Sequence, residues 1–302
     1  MLQAMRIKAG KAEAECLRRL VALARAEDLG GGDVTAAMVP EELNIRGHFV
    51  ARQELVVCGA GFLADIAAVY DRHIRSRALV ADGRTVASGA ALATWEGPAR
   101  AMLSAERVAL NFLQHLSGVA TATRRCVDAV ADTGAKIYDT RKTTPGWRAL
   151  DKYAVRCGGG HNHRMGLYDA VLVKDNHLAA LAAAEADDAL DALAPHLADV
   201  RDRLGHRGFV EVEVDRLDQL RRALKLPVDA VLLDNMTGDE LRQAVALRDA
   251  AGLRGLVALE ASGGVTPATV RAVAETGVER ISVGALTHSP SAVDIALDVE
   301  ME

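Results

Sequence analysis

The sequence predicts an α/β protein in two parts: an N-terminal α+β module, then strands and helices that alternate as they do around a parallel sheet. Two observations carry this. Roughly the first 115 residues mix one helical tract with short strand-like pieces set between glycines. Beyond about residue 133, short apolar strands are separated by helical stretches, which implies a parallel sheet covered by helices. Six or seven such units suit a closed α/β barrel better than an open sheet, although the count alone leaves both standing.

In chain order, "AEAECLRRLVALARAED" has a helical period that puts Cys16, Leu17, Leu20, Val21 and Leu23 on its apolar side, and it stops before "LGGGD". "IRGHFVARQELVVCG" and "RALVADGRTVASGAALATWEG" alternate or run apolar in short pieces, as strands do. "SAERVALNFLQHLSG" is a helix with Val108, Phe112 and Leu116 on one side and Arg107, Asn111 and Gln114 elsewhere, and helix continues to about Thr133. The strands expected after it are "AKIYDTR", "DAVLVKDN", "FVEVEVD", "DAVLLDN", "LVALEASGG" and "RISVGALTH". Helical tracts such as "RLDQLRRALKL", "TGDELRQAVALRDA" and "TPATVRAVAETG" separate most of them. The tail "AVDIALDVE" reads as one more strand, returning to the first module.

Composition excludes several classes. Of 302 residues, 50% are hydrophobic and 25% charged, the balance of a soluble globular protein, and aromatics at 3% leave the core to Ala, Val, Leu and Ile. A net charge of -5 argues against a nucleic-acid or membrane-surface binder, since both need a broad basic face. The tract "LAALAAAEADDALDALA" is interrupted by carboxylates too often to span a bilayer. The start, "MLQAMRIKAGKAEAECL", lacks the apolar core of a signal peptide, so a cytoplasmic location is expected. Cys16, Cys58, Cys126 and Cys157 form no CxxC pair and have no close His at metal-ligand spacing, so they read as reduced structural thiols.

Against that acidic background, "DTRKTTPGWRALDKYAVRCGGGHNHR" gathers Arg141, Lys142, Arg148, Lys152, Arg156, His161, His163 and Arg164 against only Asp139 and Asp151. The strands explain part of it, because each predicted strand turns polar at its C-terminal end. The polar ends are Arg141 and Lys142; Lys174, Asp175 and Asn176; Glu211, Glu213 and Asp215; Asp234 and Asn235; Glu260, Ser262, Gly263 and Gly264; and Gly284 followed by Thr287 and His288. In α/β barrels the active site lies at that face. Arg141, Lys142, Arg164 and Lys174 would point into one bowl, where each cation pair at ~7 Å repels by about 2 kcal/mol unless an anion neutralises it. Arg offers a planar fork to carboxylate or phosphate and Lys a compact charge, so the ligand should carry several negative charges. Arg148, Lys152 and Arg156 are instead expected in ordinary salt bridges, with Asp139, Asp151 and Asp169 as the available carboxylates.

Two glycine turns point to phosphate. In "SGGVTPATV" a strand end and a turn lead to a helix with Thr266 as N-cap and Pro267 at its first position, and "VGALTHSPSAV" repeats the arrangement one strand later. Backbone N–H groups there can hold a phosphate, and the last two loops of a barrel often do. Glu213 and Asp234 add carboxylates on neighbouring strands. These suit a ligand with hydroxyls or a divalent metal, as a sugar with an Mg²⁺-bound diphosphate supplies, or simple pairing with basic neighbours.

At this point the residues are similar to a known family. "EDLGGGDVT", "ERVALNFLQHLSGVATAT", "DTRKTTPGWRALDKYAVRCGGGHNHRMGLYDAVLVKDNH", "EVEVD", "LLDNM", "EASGGV" and "SVGALTHS" resemble quinolinate phosphoribosyltransferase, over nearly the whole chain. Trp147 and Asp151 depart from the family's aliphatic residue and Glu or Gln, and His161 sits where the family varies. The resemblance implies an N-terminal α+β sandwich domain over 1–118, rejoined by 289–302. It implies an incomplete, six- or seven-stranded parallel α/β barrel over 119–288.

The reaction it implies joins quinolinate to phosphoribosyl pyrophosphate with Mg²⁺, giving nicotinate mononucleotide, pyrophosphate and CO₂. Arg141, Arg164 and Lys174, with His163, would clamp the two quinolinate carboxylates, Arg107 would complete that site from the neighbouring subunit of a homodimer, and Thr140 would be a further substrate-binding residue. Lys142, Glu213, Asp234, the turn Ser262, Gly263 and Gly264, the turn Gly284, Ala285 and Leu286, and His288 would hold phosphoribosyl pyrophosphate. Glu213, Asp234 and Lys142 would be the catalytic groups, with Mg²⁺ held mainly through pyrophosphate and by Glu213 and Asp234 if it touches the protein. Two alternatives stay open: a nicotinate phosphoribosyltransferase-like enzyme, and a non-catalytic anion-binding relative.

Overall fold

The structure, a computed structural model, describes residues 7–185, 189–205 and 208–300. Its helices are α1 Lys11–Leu29, α2 Leu63–Tyr70, α3 Ala99–Ala129, α4 Arg148–Cys157, α5 Asp175–Glu185, α6 Ala189–Leu204, α7 Leu217–Ala223, α8 Gly238–Ala250, α9 Val270–Ala274 and α10 Ala285–His288. Its strands are β1 Asn44–Ala51, β2 Leu55–Val56, β3 Arg75–Ala78, β4 Thr85–Val86, β5 Ala91–Pro98, β6 Lys136–Tyr138, β7 Val171–Val173, β8 Val210–Val214, β9 Ala230–Asp234, β10 Ala258–Ser262, β11 Arg280–Ser282 and β12 Ile295–Glu300. The chain divides into two compact units. The first holds the described residues up to Arg124, Lys142–Gly160 and those from Leu286 on; the second holds Arg125–Arg141 and His161–Ala285.

In the first unit, β12, β1, β5 and β3 form a four-stranded antiparallel sheet in that order, and β2 pairs with β4. Along β1 the residues Ile45, Phe49 and Ala51 are buried on one face, the period of two expected of a half-covered strand. Phe49 meets Trp95 of β5 edge to face at 4.9 Å. Gly47 sits where a Cβ would come within 2.8 Å of the Leu297 side chain on β12, so any larger residue there would have to displace that leucine. The strand end after β2 has no sheet partner for every N–H, and α3 supplies hydroxyls: Val56 N–H donates to Thr121 Oγ1 and Cys58 N–H to Ser117 Oγ. On α1 the buried stripe is Glu13, Leu17 and Val21; Leu23, expected on the apolar side, is exposed.

The second unit is built on a six-stranded parallel sheet in the order β6-β11-β10-β9-β8-β7. Consecutive strands are neighbours throughout, except that β6 pairs with β11 and not with β7. That is the strand order of a barrel opened between its first two strands. All six expected strands form, each shorter than the apolar run that announced it. The apolar tract at 178–194 falls on α5 and α6, with residues 186–188 outside the described residues, and among the described residues no helix is long and apolar enough to cross a membrane.

Candidate active site

The register gives the six-stranded sheet two unlike faces. In a parallel sheet, paired residues point the same way and successive residues alternate. Glu211 pairs with Leu172 and Ala230, Glu213 with Leu232, Leu232 with Glu260, Glu260 with Arg280, Asp234 with Ser262, and Ser282 with Tyr138. These residues therefore share one face. The other face carries Ile137, Val173, Val212, Val231, Leu233, Leu259 and Ile281, all buried. Six charged side chains, Lys136, Glu211, Glu213, Asp234, Glu260 and Arg280, thus lie on one side of a sheet whose other side is hydrocarbon.

The deepest layer of the polar face centres on His163, which is 8% exposed, with Glu211 and Glu260 at 0%. The His163 Nδ1 accepts from the Arg164 N–H at 2.7 Å, so the ring proton sits on Nε2, where it donates to Glu211 Oε2 at 2.9 Å. Glu260 Oε1 lies 3.5 Å from the same Nε2 and accepts from the Ser282 hydroxyl. Arg280 Nε is 2.6 Å from Glu260 Oε2, an ion pair without hydrogen-bond alignment, and its guanidinium lies 4.2 Å over the Tyr138 ring. Burial pushes the Glu211 carboxyl up to about 7, against the pull of Arg280 and Arg164. Burial, with the Glu211 charge beside it, pushes Glu260 up to about 7 as well, against Arg280, His163 and the Ser282 hydroxyl. Asp139, fully buried just past β6, accepts from the Asn162 side chain and from the His163 N–H at 2.8 Å, which fixes the "HNHR" segment beside the sheet.

Arg164 and Lys174 are near enough to this layer to act on the Glu211 carboxyl. Arg164 is 7% exposed and donates to the Ala170 carbonyl at 3.1 Å. Burial and the nearby Arg141 charge lower its pKa, so two guanidinium groups are close enough to repel. Arg141 is exposed, and among the described residues no carboxylate forms an ion pair with it. Lys174, at the end of β7, pairs with Glu213 on β8. Asp234 ends β9 and accepts from the Asn235 amide at 2.7 Å. Asn235 takes a left-handed φ of 54° and donates its N–H to the Ser262 carbonyl at 2.9 Å, tying the ends of β9 and β10 together. Gly263 follows with φ 98°, and any Cβ there would collide with Asn235; Gly264, at φ 60°, opens to solvent. The helix after this turn starts at Val270, later than the Pro267 start expected, because Thr266–Thr269 closes a tighter turn in which the Thr266 carbonyl accepts from both the Thr269 and Val270 N–H groups.

The second unit therefore holds Thr140, Arg141, His163, Arg164, Lys174, Glu213, Asp234, Ser262, Gly263, Gly264, Gly284 and Ala285. Arg107, Lys142, Leu286 and His288 belong to the first. There Arg107 is exposed on α3, the Lys142 carbonyl accepts from the Thr287 hydroxyl at 2.9 Å, Leu286 is buried, and exposed His288 bonds through Nδ1 to the Ser289 hydroxyl at 2.6 Å. Among the basic residues expected in ordinary pairs, Arg156 finds Glu13 of α1 at 2.8 Å, a partner far away in sequence, and Arg148 donates to the Thr143 hydroxyl at 3.1 Å. Asp151 pairs with His115 at 2.8 Å. Glu211, Glu260 and Arg280 were legible only as polar strand residues; the signal that joins them to the site is their shared parity with Glu213 and Ser262.

Glu213 and Asp234 sit on one face of adjacent strands and offer hard oxygen donors. Neither belongs to a cluster of three or more potential ligands among the described residues. That suits an ion that keeps its waters and substrate oxygens, as Mg²⁺ does, and not a closed protein cage.

Comparison with known proteins agrees with this architecture. Residues 33–117 match the family described as quinolinate phosphoribosyl transferase, N-terminal domain, and residues 119–298 match its C-terminal domain. The chain is 41% identical over 275 residues to a probable nicotinate-nucleotide pyrophosphorylase [carboxylating] of Bacillus subtilis, covering 91% of this chain and 90% of that one. It is 42% identical over 294 residues to the nicotinate-nucleotide pyrophosphorylase [carboxylating] of Mycobacterium leprae, covering 95% and 98%. The solved nicotinate-nucleotide pyrophosphorylase of Francisella tularensis superposes with a TM-score of 0.85 at 38% identity, covering 98% of this chain and 99% of that one.

Proposed function

The chain belongs to the quinolinate phosphoribosyl transferase family, and from that premise we propose that it transfers phosphoribosyl from phosphoribosyl pyrophosphate to quinolinate with loss of CO₂, a step of NAD biosynthesis. The products are nicotinate mononucleotide, pyrophosphate and CO₂. The observation that carries the reading is the pair Arg141 and Arg164, close enough to repel and with Arg141 unneutralised by any described carboxylate. A ring with two carboxylates answers that charge, and Lys174 adds a third cation one strand on.

The pyridine nitrogen is the nucleophile, so the protein needs none of its own. It attacks C1 of the ribose as pyrophosphate leaves, and holding both substrates in line supplies the proximity contribution. Glu213 and Asp234 stabilise the positive charge that develops at the ribose, electrostatically and through its hydroxyls. Lys142, the Ser262–Gly264 and Gly284–Leu286 turns and His288 are assigned to phosphoribosyl pyrophosphate. Glu213 and Asp234 would also hold Mg²⁺ where it touches protein, and when bound the ion neutralises charge on the departing pyrophosphate. Once the ring nitrogen is quaternary, the adjacent carboxylate leaves as CO₂ because the cationic ring stabilises the carbanion left behind. Arg141, Arg164 and Lys174 keep the ring oriented meanwhile by gripping the carboxylates. His163, with both ring nitrogens bonded inside the protein, supports Arg164 and Glu211 as a neutral hydrogen-bonding member.

The proposal includes a cytoplasmic homodimer in which Arg107 completes the neighbouring subunit's site. Mixed dimers of Arg107→Ala and Arg141→Ala chains test the sharing: they regain one working site if it holds and none if both residues serve their own chain. The reaction itself is tested by supplying purified protein with Mg²⁺, phosphoribosyl pyrophosphate and either pyridine acid. Quinolinate should give one CO₂ per mononucleotide and nicotinate no product. Turnover of nicotinate would favour the related transferase, and binding without turnover would leave an anion-binding protein.

A further inference from the structure

The first unit contains a second cluster of chemically active side chains that the reaction does not use. Cys58, Asp82 and Cys157 come from three separate parts of the chain, yet their Sγ, carboxylate and Sγ donor atoms all lie within 4.8 Å of one another. The three segments are tied directly to one another. Cys58 follows Val57, whose N–H and carbonyl bond Arg84 and Gly83 at 2.9 and 2.8 Å, and it precedes Gly59, which turns at φ 95°. Gly83 takes φ 85° directly over the end of α4, where a Cβ would come within 3.2 Å of the Cys157 carbonyl. The Asp82 carboxylate accepts from the Gly59 N–H at 2.9 Å, the Ala60 N–H at 3.1 Å and the Tyr153 hydroxyl at 2.7 Å. Both thiols are fully buried, whereas Asp82 is only half-buried.

The geometry points to a metal site for a thiophilic divalent cation such as Zn²⁺ or Cd²⁺, with Cys58 and Cys157 as thiolate ligands and Asp82 as an oxygen ligand. Two sulfurs and one oxygen at this spacing match three corners of the tetrahedron such ions prefer, and soft thiolates select them over Mg²⁺. The fourth corner has an approach. Cys157 and Asp82 line a cavity of about 450 Å³ whose wall also carries Arg84, Arg124 and Arg156. Two thiolates, a carboxylate and a divalent ion sum to one negative charge, beside a wall that carries arginines, of which Arg156 also pairs with Glu13. The Asp82 bonds to Gly59, Ala60 and Tyr153 orient the carboxylate as the outer partners of metal ligands do. Binding breaks two S–H bonds and forms two metal–sulfur bonds, releasing both protons to solvent. Burial beside Cys157 and Asp82 pushes the Cys58 thiol up, so that proton must be displaced by the ion itself. The sequence hid the site because no two of the three residues are near neighbours in the chain.

The test is a titration of the reduced full chain with Cd²⁺ alone, read by thiolate-to-cadmium ultraviolet absorption and by bound metal per chain. One equivalent should bind with the absorption of two thiolates. Cys58→Ser and Cys157→Ser should each weaken binding by about a hundredfold or more, and Asp82→Asn by roughly ten- to a hundredfold. Cys16→Ser and Cys126→Ser should leave it unchanged. Tyr153→Phe removes the hydroxyl on Asp82 without touching a sulfur, so it keeps the question answerable if a cysteine variant misfolds; it should retain the two-thiolate absorption at one equivalent. Absence of that absorption, its loss in Cys16→Ser, its persistence in folded Cys157→Ser, or conversion of Cys58 and Cys157 to a disulfide in air with no metal uptake by reduced protein would each overturn the assignment.

Discussion

The two faces of the six-stranded sheet answer to different demands. On one, Val212, Val231, Leu233, Leu259 and Ile281 are buried against hydrocarbon, where each removes apolar surface from water and asks for no partner. On the other, Glu211 and Glu260 are as deeply buried, and each has a carboxyl pushed up to about 7 by that burial. Buried charge of this kind stabilises little, since desolvation consumes most of what pairing returns. The lesson is that the first face makes the fold, whereas the second spends its buried carboxyls on His163, whose other ring nitrogen accepts from the Arg164 N–H. Mutations on the two faces should therefore separate stability from activity.

The largest effect is expected on the apolar face. Leu233→Ala should cost about 2–5 kcal/mol of stability, read by urea denaturation, with kcat/KM kept while the protein remains folded. On the polar face, Glu213→Gln should lower kcat by roughly 10²–10³-fold, about 2.7–4 kcal/mol, with a much smaller change in the urea midpoint. Gly263→Ala must put a Cβ into Asn235 at φ 98°, so a loss of roughly 1–3 kcal/mol is expected, together with a raised KM for phosphoribosyl pyrophosphate. Equal losses of stability and activity in all three would erase the distinction between the faces.

The smallest effect sharpens the comparison through pH. A carboxyl raised by the fold contributes stability that is whole below its unfolded value of 4.5 and is lost as pH rises through about 7. Glu260→Gln removes that titration, so unfolding free energy should fall less between pH 4.5 and 7 in the variant than in the parent. A steeper fall in the variant would show that the Glu260 carboxylate is stabilised by Arg280 more than it is penalised by burial.

How much of this the sequence carried can be judged residue by residue. The strands were legible because the alternation of apolar runs with helical tracts is a local signal, and the polar ends at Arg141, Lys174, Glu213, Asp234 and Ser262 were legible for the same reason. The period of two in "VEVEV" was a signal that could have joined Glu211 to the face of Glu213. What could not be read was depth: nothing local says that Glu211 and Glu260 reach one imidazole, or that His163 spends both nitrogens inside the protein. Long-range partners were hidden likewise. Arg156 was expected among nearby carboxylates and pairs with Glu13, and three residues scattered between positions 58 and 157 converge in the first unit. Trp147 and Asp151, the two departures from the family pattern, turn out to be linked: Trp147 stacks on Phe112 at 4.6 Å and meets His115 edge to face, while Asp151 takes the His115 Nε2 bond. Side chains that look like independent deviations in a linear sequence form one packed group.

The most direct measurement is the thermal unfolding of Arg141→Ala with and without saturating quinolinate, beside the parent. If Arg141 serves the ligand and its neighbour Arg164 repels it, the unliganded variant should unfold at or slightly above the parent temperature. Its quinolinate-dependent shift should shrink by what a loss of about 1.5–3 kcal/mol in binding implies. An unliganded variant that melts well below the parent, yet keeps the full quinolinate shift, would mean that Arg141 belongs to the fold and that the dicarboxylate is held elsewhere.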